Sequence, residues 1–222
     1  MLAGVGISRD HPPCERPKVG DNGAVGSDFG DDELLAAQDA LQAESAGVLT
    51  DLDLLEHIRR IGDPVRTGSS VLGLMVARDI DVTTLCPSLE LRPIFDVGRA
   101  LAGHPKVRRI SFRNETRRWN TSPVYPDGLY WLVEYVTEGG LTWTLDLWFL
   151  LEGHTQFDLE HIQTIPPRLT REVRLAILRI KHARLDLPAH ERGPSYRIYE
   201  AVLDHGVKTP DDFTRHLEAG IA

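Results

Sequence analysis

The feature that most constrains this chain runs from Gly68 to Val82: a Gly-Ser turn, a short apolar segment, and then Asp79-Ile80-Asp81-Val82. Residues 78–85 alternate like a β-strand, whose successive side chains point to opposite faces. Asp79 and Asp81 therefore share one face, while Ile80 and Val82 point into a core. Carboxylates two positions apart on a strand sit roughly 6.6 Å apart at the backbone and repel one another without a counter-charge. A divalent cation is their natural partner. Gly68 lets the backbone turn closely past a ligand, and Ser69 and Ser70 stand where a helix begins, with N–H groups that favour phosphate. The pattern suits a triphosphate held beside a metal.

A third acid lies further on. In Leu141-Thr142-Trp143-Thr144-Leu145-Asp146-Leu147-Trp148-Phe149-Leu150 the alternation again reads as a strand, and Asp146 is its one charged residue. Trp143, Leu145, Leu147 and Phe149 form the apolar face. Thr142, Thr144, Asp146 and Trp148 lie on the other, where Asp146 could complete a metal-binding triad. Taken singly, each part has a plainer reading: Gly-Ser is common in turns, Asp-hydrophobic-Asp occurs at strand ends, and a lone strand Asp caps or bonds a nearby backbone. All three in this order favour the metal site.

Gly68-Ser69 followed by Asp79-Ile80-Asp81 resembles the signature of the nucleotidyltransferase superfamily related to DNA polymerase β. It is most similar to compact bacterial members, which include antibiotic nucleotidyltransferases and the nucleotidyltransferases of toxin-antitoxin systems. The resemblance spans residues 64–151. It implies an α+β fold, with a mixed β-sheet core flanked by helices and a C-terminal helical subdomain that closes over substrate. It also implies two magnesium ions bound by Asp79 and Asp81 with the phosphates of a nucleoside triphosphate, Asp146 binding the metal nearer the acceptor hydroxyl. Such metals lower that hydroxyl's pKa and stabilise charge on the α-phosphate and the departing pyrophosphate. Gly68 and Ser69 would hold the β- and γ-phosphates. Some antibiotic-modifying relatives use an extra Glu, for which Glu152 and Glu160 are candidates here.

Composition is compatible with this. A chain of 222 residues, 41% hydrophobic and 26% charged, can bury one sizeable core and a smaller satellite. Its formal charge of -8 disfavours nucleic-acid binding through the whole surface, though not through a local basic patch. Cys14 and Cys86 lie in different contexts and suggest neither a disulfide framework nor a zinc site, which fits a reducing cytoplasm. The start Met1-Leu2-Ala3-Gly4-Val5-Gly6 lacks signal-peptide features, and no apolar run approaches the ~20 residues of a membrane span.

Three regions are expected: a tail over 1–30, rich in Gly, Pro and Asp; a nucleotidyltransferase core over 31–152; and a helical subdomain over 153–222. Asp31-Asp32-Glu33 opens a helix with an incomplete apolar stripe of Leu34, Leu35, Leu41 and Val48, and Thr50-Asp51-Leu52-Asp53 opens a second, stopped at Gly62-Asp63-Pro64. Another helix runs from Pro87 to about Ala102, with Pro93 either kinking it or marking its true first turn. Val107 to Glu115 reads as a strand, and Leu129 to Thr137 pairs with Leu141 to Leu151 through Glu138-Gly139-Gly140. Helices follow over 170–187, 196–205 and 209–217, the last opened by Thr-Pro-Asp-Asp.

Lys181 is the candidate cation for the triphosphate, against the alternative of a solvated helix face. Arg66 and Arg78 flank the motif, to neutralise phosphate or pair with nearby acids. Lys106, Arg108, Arg109, Arg113, Arg117 and Arg118 with Trp119 form a basic concentration that suits either RNA phosphates or a charged edge strand. His154 and His161 show no metal-ligand spacing and read as surface or core residues. Three functions follow: nucleotidyl transfer to a small hydroxylated molecule such as an antibiotic, which the acidic chain favours; transfer to RNA or protein, which the Arg cluster favours; and a noncatalytic nucleotide-binding module.

Overall fold

A computed structural model describes residues 29–121, 126–153 and 157–220. The expected tail over 1–30 falls almost wholly outside them, as do Cys14 and His154. Five strands form one mixed sheet: β1 (Asp63–Thr67), β2 (Asp79–Cys86), β3 (Val107–Glu115), β4 (Gly128–Val136) and β5 (Thr142–Leu151), in the order β1-β2-β5-β4-β3. β2 and β5 run parallel and every other neighbouring pair is antiparallel. The helices are α1 (Asp31–Asp51), α2 (Leu54–Arg59), α3 (Ser69–Leu72), α4 (Leu91–Ala102), α5 (Phe157–Thr164), α6 (Arg171–Ala183), α7 (Ala189–Arg192), α8 (Ser195–His205) and α9 (Pro210–Glu218).

The alternation of β2 and β5 decides which face is buried. Ile80, Val82, Trp143, Leu145, Leu147 and Phe149 are all fully buried on one side, where Leu54 and Ile58 of α2 and Ile94, Val97 and Leu101 of α4 cover them. A second core packs Ile177 and Ile180 of α6, Ile198 and Val202 of α8 and Phe213 of α9. It also takes Leu72 and Leu74 from the segment between β1 and β2, so the Gly-Ser turn is anchored in the helical part of the chain. Thr170 and Thr209 accept hydrogen bonds from the Val173 and Asp212 amides, capping α6 and α9, as Thr-Pro-Asp-Asp foretells for α9.

Three local expectations change. α1 continues through Thr50, whose hydroxyl donates back to the Ala46 carbonyl instead of opening a helix, and α2 starts only after Asp53 at φ 46°. Asp63 and Pro64 do more than stop a helix: they begin β1, and a proline is tolerated there because β1 is an edge strand. α4 begins at Leu91, so Pro93 lies in its first turn and does not kink it. The incomplete stripe of α1 also has a physical reason. Its inner face is partly polar, with Gln38 and Ser45 buried, Gln42 Nε2 donating to the Ser70 carbonyl at 2.9 Å, and Glu44 pairing with Arg78 at 3.1 Å. Among the described residues no helix is long and apolar enough to cross a membrane.

Candidate metal centre

Asp79 and Asp81 alternate with Ile80 and Val82 on β2, so burial of the latter fixes the former on the opposite face. Parallel pairing sets Asp81 directly beside Asp146 and Asp79 beside Thr144. One carboxylate oxygen from each of Asp79, Asp81 and Asp146 lies within 4.8 Å of the others, close enough to share a cation. Asp146 is 6% exposed, and like charges gathered there are unfavourable without such a partner.

Gly68 stands against this triad. Its φ of 67° and ψ of -161° form a conformation open essentially to glycine alone, and a Cβ there would lie 2.0 Å from Asp81 Oδ2. Ser69 is half-buried at the start of α3, and the Ser70 hydroxyl turns inward to the Thr67 carbonyl at 3.3 Å. The glycine is therefore needed for Asp81 itself as well as for any approaching ligand.

Lys181 reaches this region from α6. Its ammonium donates to the Leu74 carbonyl at 2.7 Å and stands 3.5 Å from the Tyr199 hydroxyl. Burial pulls its pKa down to about 8, while Asp79 and Asp81 act in the opposite direction. It is thus a buried tie to the motif segment and not a solvated helix face. Burial also pushes the Tyr199 phenol up, reinforced by Asp81, Asp158 and Asp79 and opposed by a hydrogen bond with Ser195.

Neither Glu152 nor Glu160 is turned inward; both are exposed. The acid that approaches Asp146 is Asp158 on α5, whose carboxyl is raised by burial and by Asp146 and lowered in part by His161. Arg78 pairs with Glu44, and Arg66 reaches Ser45 at 3.5 Å. In the basic strand β3, Arg109 and Arg113 share the triad's face by register through β4, but Arg109 pairs with buried Glu134 at 3.2 Å and Arg113 with Glu115 at 3.5 Å. Arg117, Arg118 and Trp119 form an exposed turn beyond the far end of β3, the Arg118 guanidinium over the Trp119 ring at 4.8 Å.

Tyr130, Asp158 and Tyr199 escape the sequence reading. For Tyr130 a signal existed: the Glu138-Gly139-Gly140 turn sets Val136 opposite Thr142, and counting back along both strands brings Tyr130 opposite Trp148 and diagonal to Asp146. For Asp158 and Tyr199 no local pattern points inward.

No protein-family model matches the chain, and no curated protein matches it in sequence. Solved structures do match its fold. The RNA terminal uridylyl transferase Cid1 superposes with a TM-score of 0.52 at 16% identity, covering 74% of this chain and 47% of that one. The STING-associated c-di-GMP synthase CdnE from Capnocytophaga granulosa gives 0.51 at 9% identity over 78% of this chain and 64% of its own. A cytoplasmic RNA terminal U-transferase gives 0.50 at 15% identity over 73% and 45%. The chain thus spans about half to two thirds of the length of these structures. Asp79, Asp81 and Asp146 are thus carried on the α+β fold that these structures share.

Proposed function

We propose that this chain is a metal-dependent nucleotidyltransferase that moves a nucleoside monophosphate from a nucleoside triphosphate to a hydroxyl of a small molecule, releasing pyrophosphate. The observation that carries the reading is the convergence of Asp79, Asp81 and Asp146 within 4.8 Å on one sheet face. All-oxygen donors of this charge suit magnesium, and Gly68, lacking a Cβ, leaves room for the Asp81 carboxylate to join them. Two divalent ions held there would lower the acceptor hydroxyl's pKa and neutralise charge on the reacting phosphate.

The chain's own groups do the rest. Asp79 and Asp81 orient the nucleotide's phosphates, Gly68 and Ser69 border them, and Lys181 meets their charge from α6. Asp146 fixes the acceptor side. The acceptor oxygen bonds to the α-phosphorus, the bond from that phosphorus to the bridging oxygen breaks, pyrophosphate leaves, and the hydroxyl proton passes to solvent or to Asp158. Residues 31–152 form the catalytic core, and residues 153–222 the helical unit that closes over substrate.

A small polar or cationic acceptor such as an antibiotic suits this face. Asp158 adds negative charge, half-buried Trp148 adds aromatic surface, and Arg109 and Arg113 are matched by carboxylates. Transfer to RNA is the second reading, favoured by exposed Arg117, Arg118 and Trp119. The deciding experiment incubates the protein with each labelled nucleoside triphosphate and magnesium against antibiotics, total tRNA and cell lysate. Label on a small molecule supports the first reading, label on tRNA the second, and label on neither with every triphosphate counts against transfer. Asp81→Asn should lose transfer by at least about a hundredfold while folding as stably as the parent or more so, because charge repulsion is relieved; a variant that unfolds more easily without metal assigns Asp81 a structural role.

A further inference from the structure

Tyr130 lies on β4, two residues from the register partner of Asp146, and is 7% exposed. Its hydroxyl donates to Asp146 Oδ1 at 2.5 Å. Register places Arg113 of β3 and Trp148 of β5 on either side of it. The Arg113 guanidinium sits 4.6 Å from the ring centre, and the Trp148 ring 4.8 Å from it at 43°. Arg113 is itself held by Glu115 at 3.5 Å. The phenol is therefore clamped in a cross-strand row, and its hydroxyl is aimed at one oxygen of one carboxylate.

We propose that Tyr130 is the positioning residue for Asp146, fixing the carboxylate so that it meets a divalent cation shared with Asp79 and Asp81. A carboxylate on a strand can rotate about its last bond and offer either oxygen to either neighbour. A donor on Oδ1 opposes that rotation and holds the carboxylate in one orientation. A neutral phenol does this without adding a positive charge that would compete with the metal, in contrast to Lys181, whose charge is directed at Asp79 and Asp81. Groups that hold a ligand in this way contribute roughly ten- to a hundredfold to metal affinity or activity. The clamp also ties Asp146 to the edge strand, because Arg113 of β3 lies over the Tyr130 ring that holds the carboxylate.

The inference rests on Asp146 being a metal ligand, and the test separates the two claims. Manganese binding to the full chain is measured by the loss of its free-ion magnetic resonance signal, with and without a non-hydrolysable nucleoside triphosphate, for the parent, Asp146→Asn and Tyr130→Phe. Phenylalanine keeps the ring between Arg113 and Trp148 and removes only the hydroxyl. Expected for Tyr130→Phe are a manganese affinity about tenfold weaker or more, a cooperative thermal transition lowered only by the loss of one buried hydrogen bond, and a kcat that falls with little change in KM for the triphosphate, because Asp79 and Asp81 still hold it. Should Tyr130→Phe not fold, metal-induced change in the near-ultraviolet tyrosine signal is compared between the parent and Asp146→Asn. A change present in the parent and absent from Asp146→Asn supports the clamp; no change in the parent overturns it. If the parent binds no manganese, or Asp146→Asn binds it equally well, the metal reading itself fails. If Asp146→Asn loses binding while Tyr130→Phe binds and turns over like the parent, the role of Tyr130 alone is overturned.

Discussion

At the residue scale the site is built from contacts too close to tolerate change, and Gly68 is the tightest. A Cβ there meets two separate penalties: a backbone conformation costing other residues about 1–3 kcal/mol, and overlap with the Asp81 carboxylate at 2.0 Å. Gly68→Ala should therefore lower stability by more than the backbone cost alone. In an Asp81→Ala background the overlap disappears and the backbone cost remains, so a double-mutant cycle of urea unfolding should show coupling above about 0.5 kcal/mol. Strict additivity would mean that Gly68 serves the turn and not the carboxylate. Lys181 gives a prediction in pH. Its folded pKa of about 8 lies below the unfolded 10.5, so between those values the unfolded chain binds more protons and this group's contribution to stability rises with pH. The full rise is of order 3 kcal/mol. Cys86, raised to about 11 by burial, acts oppositely above 9. The informative quantity is thus the parent-minus-Lys181→Met difference in unfolding free energy, which should climb from pH 8 to 10.5; a flat difference would contradict the buried ammonium. The three aspartates were legible because strand alternation and apolar neighbours orient each one locally. Asp158 and Tyr199 were not, since their approach depends on how α5 and α8 dock, which no short pattern encodes.

At the scale of elements, the strands were the most readable parts. β3 matches its expected span from Val107 to Glu115, and the β4–β5 hairpin shifts by a residue at its ends. Alternation carries this information directly, whereas β1 was hidden because Pro64 reads as a terminator unless the strand is known to lie at an edge. α4 shows where helix propensity alone misleads. Gly98 lies in its buried face, and replacing it by alanine should favour the helix by about 1 kcal/mol. Yet the new Cβ would sit 2.8 Å from the Trp131 indole, which is wedged against Phe95 at 5.0 Å and Phe112 at 4.8 Å and has little room to yield. Overpacking of this kind costs about 1–3 kcal/mol, so Gly98→Ala should be destabilising on balance. A midpoint shift to higher denaturant would show that the indole moves freely. This glycine was invisible in the sequence because its reason is a tryptophan thirty-three residues away.

On the scale of the whole molecule, charge decides between acceptors. The formal charge is -8, and the cations of the edge region are largely matched by acids: Lys106 with Asp51 at 3.1 Å, Arg109 with Glu134 at 3.2 Å and Arg113 with Glu115 at 3.5 Å. Those pairings depend on cross-strand register and on the end of α1, so a reading of the Arg cluster from sequence could leave RNA and edge protection equally open. The exposed Arg108, Arg117 and Arg118 are the cations at this edge for which the described contacts show no carboxylate partner on a side chain. Single-stranded RNA releases roughly 0.7 counterion per phosphate contact, so three arginines would give a log-log salt slope of about -2. Weak binding of an RNA oligomer with a slope no steeper than this is the expected outcome. Replacing Arg117 and Arg118 by Gln should flatten the slope by about 1.4 and leave nucleotidyl transfer to a small acceptor unchanged across the same salt range. A slope nearer -5, or transfer that collapses with salt in step with RNA binding, would move the acceptor from a small molecule to a nucleic acid, since so many phosphates could be held only by cations that here face carboxylates.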